Sequence, residues 1–217
     1  MILETSAVDP FFKNGYVLGC EATREAVLID PGDEVDLLLE RLEHHRLKAT
    51  AILLTHAHLD HITGVGRAKQ ALGVSVWLHE ADNFLYERVV QQGQAFGFRV
   101  EPQPPVDHFY EPGQVLTFGE YQVSVLHTPG HCPGGVALAV NGDPRTAGPT
   151  DRRSLIVGDT LFAGSIGRTD LPGGDLPTLL RSIRDVLFAF PDGTPVYSGH
   201  GEPTTIGQER RTNPFLR

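Results

Sequence analysis

Short apolar runs separated by glycine, proline and charged positions recur along the whole chain. Runs of four to eight residues rich in Val, Ile and Leu are typical of buried strands, whereas apolar positions three and four apart indicate helices. The strand-like runs predict ten strands, at residues 2–8, 16–20, 26–30, 51–54, 74–78, 115–118, 121–127, 135–140, 154–157 and 194–197.

Helical spacing appears in four segments, at residues 33–45, 61–72, 82–92 and 176–190. Asp33 is placed to cap the first helix, and Gly73 to end the second. The proline-rich segment 94–112 is predicted to be a long loop, and the polar segment 141–153 a hairpin loop. Strands followed by helices, twice over, predict a mixed α/β protein.

The strand-like run 51–54 is directly followed by a dense group of metal-capable side chains, in the sequence Thr-His-Ala-His-Leu-Asp-His. In extended backbone, side chains two apart point the same way, so His56 and His58 can reach one ion together. Asp60 and His61 stand where the chain turns into a helix and can face a second ion. Imidazole and carboxylate ligands without thiolate suit zinc, iron or manganese. The alternative, a solvated His-rich loop, suits a single histidine better than this packed set.

Three further metal-capable residues lie far along the chain. His131, Asp159 and His200 each follow a strand-like run, and each has a glycine neighbour. Open α/β sheets place their binding residues just past the carboxyl ends of their strands. We therefore expect these three side chains to take part in the same chemistry.

The ordered set of His-x-His-x-Asp-His, Gly-His, Gly-Asp-Thr and Gly-His resembles the metallo-β-lactamase superfamily. That resemblance implies an αββα sandwich, with two mixed sheets and helices outside, formed by residues 1–217 as a single domain. It also implies two metal sites that share a bridging carboxylate. Metal 1 would be held by His56, His58 and His131, metal 2 by Asp60, His61 and His200, and both by Asp159.

The implied cofactors are two divalent metal ions, most simply zinc, with iron or manganese also accommodated. Two such ions share a bridging hydroxide, because bound water loses its proton near neutral pH. That hydroxide would attack a carbonyl, and Asp60 would also orient it as a catalytic residue. No serine or cysteine nucleophile is needed.

Within the superfamily, Gly-Asp-Thr-Leu-Phe at 158–162 and Asn-Pro-Phe at 213–215 resemble the glyoxalase II group. That group hydrolyses S-acyl-glutathione thioesters, so a small-molecule thioester is the expected substrate. The resemblance implies that Arg168 contacts a glutathione carboxylate, for which its bidentate geometry is suited. The alternative is an ion pair between Arg168 and Asp170 or Asp175.

The chain departs from the glyoxalase II pattern at three places. Asp170 stands where that group has tyrosine, and Gly201-Glu202 where it has Glu-Tyr. The sequence ends at Arg217, where that group continues into a C-terminal helical lid. The resemblance therefore implies a small, lidless glyoxalase-II-like hydrolase, and it leaves the thiol half of the substrate open.

Other functions compete with this interpretation. Gly-Arg-Thr-Asp at 167–170 resembles persulfide dioxygenases, which use one iron held by the positions of His56, His131 and Asp159. Those enzymes usually have aspartate at the position of Gly201, which favours the hydrolase. Another metallo-hydrolase, acting on lactones or β-lactams, is a second alternative. A non-catalytic binding protein is disfavoured, because all seven ligand positions are filled.

Composition and charge limit the partners and the cellular location that we expect. The net charge is −9 and Lys and Arg form no block, so a nucleic-acid surface is not expected. No apolar run reaches the ~18 residues of a membrane span, and no secretion signal opens the sequence, so a cytoplasmic location is predicted. Cys20 and Cys132 cannot form a disulfide framework.

Several side chains have two interpretations. Cys132 adjoins His131 and is either a redox-sensitive thiol or, more simply, a small buried filler. His79, His108 and His127 lie near strand ends and either support a metal ligand or serve the fold alone.

Overall fold

The computed structural model describes residues 1–141 and 153–217. The predicted hairpin loop at 141–153 lies almost entirely outside the described residues. The chain divides into two compact units, Met1–Tyr110 with Phe118–Glu120, and Glu111–Thr117 with Tyr121–Arg217. The prediction of one domain over residues 1–217 stays a prediction.

The first unit holds a six-stranded mixed sheet whose spatial order follows the chain. Its strands are β1 (Ile2–Ser6), β2 (Gly15–Gly19), β3 (Glu25–Ile29), β4 (Lys48–Leu53), β5 (Ser75–Leu78) and β6 (His108–Phe109). The pairs β1–β2 and β2–β3 are antiparallel, and the pairs from β3 to β6 are parallel. β2 and most of β3 are buried, as their continuous apolar runs predict.

Five helices accompany this sheet: α1 (Val35–His44), α2 (Leu59–Ile62), α3 (Val65–Leu72), α4 (Asn83–Tyr86) and α5 (Val89–Ala95). α1 packs on β1 and β2, and its buried residues are Val35, Leu38 and Leu42. The predicted Asp33 cap is wrong, because the Asp33 carboxylate instead accepts a hydrogen bond from the Thr63 hydroxyl at 2.6 Å.

Three predicted elements of the first unit differ from the structure. The helix expected at 82–92 is divided into α4 and α5. The helix expected at 61–72 is split into α2 and α3 around Gly64, where a side chain would lie 2.2 Å from the Gly32 carbonyl oxygen. The loop expected at 94–112 contains β6, which is too short to show a strand period. Gly73 ends α3 in the left-handed conformation, as predicted.

The second unit carries a mixed sheet of six strands in the order β14-β13-β10-β9-β8-β7. These strands are β7 (Val115–Phe118), β8 (Tyr121–His127), β9 (Val136–Val140), β10 (Ser154–Ile156), β13 (Pro195–Tyr197) and β14 (Thr204–Thr205). A separate two-stranded hairpin consists of β11 (Leu161–Phe162) and β12 (Ser165–Ile166). The sequence patterns predicted neither this hairpin nor β14.

Two helices complete the second unit, α6 (Leu176–Arg181) and α7 (Ile206–Thr212). α6 continues as a π-helical segment (Ser182–Val186) and a 3₁₀ turn (Leu187–Ala189), which together fill the helix predicted at 176–190. Leu155, Leu179 and Ile206 are fully buried in one cluster of this unit, which joins sheet and helices.

The α/β class with two mixed sheets is therefore confirmed. Among the helices in residues 1–141 and 153–217, none combines the length and apolar character needed to cross a membrane.

Candidate metal centre

The His-rich motif leaves β4 as a buried loop and enters α2, as its spacing predicts. His56 is 1% exposed and His58 7% exposed, and their rings lie edge to face with centroids 4.8 Å apart. Asp60 and His61 stand on α2, and the Asp60 side chain is 15% exposed. The Nε2 of His61 lies 3.8 Å from Asp60 Oδ2. These donors are thus held near one another with little solvent.

A buried carboxylate that the motif does not contain orients this loop. Asp30 Oδ2 accepts hydrogen bonds from His61 Nδ1 at 2.9 Å and from the Thr55 hydroxyl at 2.5 Å. Its Oδ1 accepts from the Thr55 amide at 2.6 Å. A carboxylate on Nδ1 fixes the tautomer of a histidine and leaves Nε2 as the donor atom for a metal. Asp30 could have been predicted, because it also directly follows a strand-like run.

Asp30 is itself held by a buried ion pair. Lys13 and Glu34 are both about 2% exposed, and Lys13 Nζ lies 2.5 Å from Glu34 Oε1. Lys13 also donates to the Asp30 carbonyl oxygen, and Glu34 accepts from the Gly32 amide at 2.9 Å. These bonds support the left-handed backbone of Asp30, whose φ is 49°.

Two side chains grip the backbone on both sides of His58. Asp82 accepts a hydrogen bond from the Ala57 amide at 3.1 Å. Gln92 of α5 accepts from the Leu59 amide at 3.1 Å and donates to the Ala57 carbonyl at 3.0 Å. No spacing in the sequence predicts these contacts, because they join residues far apart in the chain.

A buried tyrosine fixes the end of β4 ahead of this loop. The Tyr110 hydroxyl donates to the Leu54 carbonyl at 3.3 Å. Burial, with a smaller contribution from the Asp30 carboxylate, raises the pKa of Tyr110 well above its ordinary value. The phenol is therefore a neutral donor at every physiological pH.

In the second unit, Asp159 lies between two imidazoles. Its Oδ2 is 3.7 Å from His131 Nε2 and 3.5 Å from His200 Nε2. The Gly199 amide donates to the Gly158 carbonyl at 2.8 Å, which ties together the loops that carry Asp159 and His200. His131 donates through Nδ1 to the Arg168 carbonyl at 2.7 Å, so its Nε2 is the nitrogen turned toward Asp159.

These donor sets fit a divalent metal. Two ligand atoms that each lie ~2.0–2.2 Å from one tetrahedral ion lie roughly 3.3–3.6 Å apart. The contacts of Asp159 with His131 and His200 are close to this spacing and longer than the usual ~2.7–3.2 Å of a hydrogen bond. In the first unit, Asp60 Oδ2 lies 3.8 Å from His61 Nε2, near the same spacing. Nitrogen and oxygen donors of this kind suit zinc, iron or manganese.

Beside Asp159 the second unit opens into a pocket of about 550 Å³. That volume is within the range of small-molecule sites. The pocket combines metal-capable, apolar and charged side chains, and its lining residues are His131, Asp159, Phe162, Ala163, Ser165, Ile166, Arg168, His200, Gly201 and Glu202.

Arg168 lines this pocket and is also paired with Asp170. Its Nε and Nη2 each lie 2.7 Å from one oxygen of that carboxylate, and both side chains are more than half exposed. The hydrogen bonds from Arg168 lower the pKa of Asp170 to about 2, and the same pair raises the pKa of Arg168. Asp175 instead caps α6 through the Thr178 amide at 2.9 Å.

The remaining candidates have local partners. Cys132 is completely buried, as a small filler would be. His79 accepts from the Ala81 amide at a helix start, and His108 lies against the Trp77 ring at 4.4 Å. His127 donates to the Pro133 carbonyl at 2.8 Å.

Comparison with known proteins agrees with this geometry. The family model of the metallo-beta-lactamase superfamily matches residues 8–200. The chain is 40% identical to the hydroxyacylglutathione hydrolase GloC of Haemophilus influenzae over 218 residues, which cover 100% of this chain and 98% of that relative.

Three solved structures share the fold. BLEG-1 B3 metallo-beta-lactamase has a TM-score of 0.87 and 39% identity, covering 99% of both chains. TTHA1623 in a di-iron-bound form has a TM-score of 0.83 and 42% identity, covering 98% of this chain and 100% of that one. ETHE1 from Myxococcus xanthus has a TM-score of 0.78 and 30% identity, covering 99% of this chain and 84% of that one.

Proposed function

The chain belongs to the metallo-beta-lactamase superfamily of metal-dependent hydrolases, and we propose that it hydrolyses S-acyl thioesters of the glutathione type. The observation that carries this proposal is the pocket of the second unit. There a carboxylate held between two imidazoles faces the same space as a guanidinium and an apolar wall. Such a pocket offers a hydrolytic centre beside an anchor for an acidic small molecule.

We propose that the metal ligands divide as the motif order implies. His56, His58 and His131 would hold one ion, Asp60, His61 and His200 the second, and Asp159 both. Support comes from the buried histidines of the first unit and from the contacts of Asp159 in the second. When bound, two divalent ions supply a hydroxide at neutral pH and polarise the carbonyl under attack.

The side chains of the protein would orient the attacking water, exclude solvent and bind the substrate. Asp60 would orient the attacking water, since its carboxylate is partly exposed beside His61. Phe162 and Ile166 of the hairpin would pack on the acyl chain and exclude water. Arg168 would bind a substrate carboxylate in place of Asp170. A thiolate is a stable leaving group, so the pocket needs no proton donor for it.

One alternative has a specific observation in its favour. The run at 167–170 resembles persulfide dioxygenases, and ETHE1 from Myxococcus xanthus shares the fold at 30% identity. A dioxygenase would use a single iron held by His56, His131 and Asp159. Hydrolase and dioxygenase therefore differ in the number of metal ions and in the consumption of oxygen.

One experiment separates the two functions. Protein produced with ample zinc, iron and manganese is analysed for metal and assayed with S-D-lactoylglutathione and, separately, with glutathione persulfide in an oxygen electrode. We expect close to two ions per chain, chelator-sensitive thioester cleavage and no oxygen uptake. A persistent single iron with persulfide-dependent oxygen uptake would assign the protein to the dioxygenases.

A further inference from the structure

The β11–β12 hairpin forms one wall of the pocket, through Phe162, Ala163, Ser165 and Ile166. Each strand is only two residues long, and the turn between them contains Gly164 with a φ of +71°. An isolated two-stranded hairpin is at best marginally stable in water, even when it is longer than this one. The position of this wall therefore depends on what binds the hairpin.

Two side chains at the end of the chain bind the tip of the hairpin. Glu209 of α7 accepts a hydrogen bond from the Gly164 amide at 2.9 Å. Asn213, which follows α7, donates through its Nδ2 to the Ser165 carbonyl at 3.0 Å. The backbone donor and the backbone acceptor at the tip are thus each bound by a side chain.

Glu209 is an unusual residue for this position, because it is completely buried. Its carboxylate also accepts from the Thr204 hydroxyl at 2.6 Å and from Asn213 Nδ2 at 2.8 Å. Burying a carboxylate is costly unless hydrogen bonds compensate it, and here uncharged donors do so. An apolar residue would fill the same space at lower cost, but it could not bind the Gly164 amide.

The base of the hairpin is held by different contacts. The Gly167 amide donates to the Thr160 carbonyl at 3.4 Å, and the Thr160 hydroxyl lies 3.2 Å from the Thr128 hydroxyl. Leu161 is fully buried in the core of the second unit. Asp159 precedes this base, so the metal-capable carboxylate is fixed without Glu209.

We propose that Glu209 and Asn213 are positioning residues that hold the hairpin tip as a rigid wall of the substrate pocket. This inference rests on the proposed function, because its main readout is thioester binding. Loss of the tip contacts would let Ala163 and Ser165 move while Asp159 and His131 keep their places. Substrate binding would then weaken, and the metal chemistry would persist.

The test is the kinetics of Glu209→Ala with S-D-lactoylglutathione. We expect KM to rise about tenfold, short of the ~100-fold that a 1 Å misplacement of a working group can cost. Turnover and metal content should stay unchanged, because the base of the hairpin is intact. Glu209→Gln should restore most of the KM, since its amide oxygen can accept from Gly164 while its nitrogen donates to Thr204.

A matched control lies on the same helix. Arg210 donates to the Phe188 carbonyl at 2.6 Å and pairs with Asp192, and none of its hydrogen bonds within the described residues goes to the hairpin. Arg210→Ala should lower the melting temperature and leave KM unchanged. If Glu209→Ala behaves like Arg210→Ala, with normal KM, or if it loses metal, the proposal is overturned.

Hydrogen exchange supplies a readout that needs no activity. The Gly164 amide should exchange faster in Glu209→Ala than in the wild-type protein, while β10 amides keep their rates; equal rates at Gly164 would overturn the proposal. If Glu209→Ala does not fold, Asn213→Ala is the second variant: it removes the Ser165 contact and one hydrogen bond to Glu209 but keeps the bond between Glu209 and the Gly164 amide. This variant should raise KM by a smaller factor, and an unchanged KM would overturn the proposal. A wild-type protein without thioesterase activity would refute the proposed function, whereas the exchange rates would still decide the role of Glu209.

Discussion

At the scale of single residues, the pocket contains a guanidinium that already has a partner. Arg168 binds Asp170 through two hydrogen bonds of 2.7 Å, in the geometry with which it would bind a substrate carboxylate. A substrate carboxylate must therefore displace Asp170. Because both side chains are exposed, the displacement exchanges one solvated ion pair for another and is not prohibitive. Under the proposed function, Asp170 would compete with the substrate for Arg168 and so limit the affinity of this anchor.

Asp170→Asn should thus tighten substrate binding. We expect KM for S-D-lactoylglutathione to fall by about two- to fivefold, the scale of exposed ion pairs, and Arg168→Ala to raise it. A short thioester without carboxylates is the control and should respond to neither change. Since Arg168 lowers the pKa of Asp170 to about 2, the competition should be the same at every pH used for assay. Equal responses of both substrates would mean that the pair serves the fold alone.

At the scale of elements, the sequence predicts long buried strands far better than short ones. β2, β3 and β9 are continuous apolar runs, and hydrophobic burial alone determines their position. The hairpin strands β11 and β12 have two residues each, and two residues show no period. α7 was also missed, because its seven residues include a single strongly apolar one.

The site divides in the same way. The grouping of His56, His58, Asp60 and His61 in one unit and of His131, Asp159 and His200 in the other could be predicted, because each group follows buried strands. Their division between two metal ions stays a prediction. Asp30 had a signal in the sequence, its place at the end of a strand-like run. Gln92 and Glu209 were missed, because their hydrogen bonds to the His-rich loop and to the hairpin join residues remote in the chain. The spacing of residues along the sequence does not indicate such contacts.

The hydrogen bonds from α5 to the His-rich loop lead to a prediction about metal affinity. Gln92→Ala removes the hydrogen bonds to Ala57 and Leu59 that flank His58. We expect metal affinity, measured by competition with a chelator, to fall about 10–100-fold, as for other residues that orient metal ligands. Gln91→Ala, an exposed position on the same helix, should keep wild-type affinity. Unchanged affinity in Gln92→Ala would show that α5 does not orient the loop.

At the scale of the whole molecule, the fold alone does not determine the chemistry, because one scaffold can support several reactions. The net charge of −9 opposes the approach of an acidic substrate, so the local charges of the pocket must provide the attraction. Stability at this scale should depend on the metal, since an ion bound only by the native state shifts the folding equilibrium.

Chelation should therefore lower the melting temperature. Ions at about 1,000 times their dissociation constant stabilise by ~4 kcal/mol, which for a chain of this size is roughly 10 °C. Asp159→Ala should melt lower and lose this response, because it removes the carboxylate that lies between His131 and His200. Asp175→Ala, which removes a helix cap, should melt lower and keep the full response. An Asp159→Ala protein that still responds to chelator would refute the assigned role of that carboxylate.

The hydrogen bond from His131 to residue 168 affects how the substrate preference of related proteins can diverge. The acceptor is the main-chain carbonyl, which every amino acid possesses, whereas the Arg168 side chain faces the pocket. Under the proposed function, a mutation at this codon would change which molecule is recognised and leave the support of His131 intact. Related proteins could then acquire new substrates by single substitutions at this position, without an inactive intermediate.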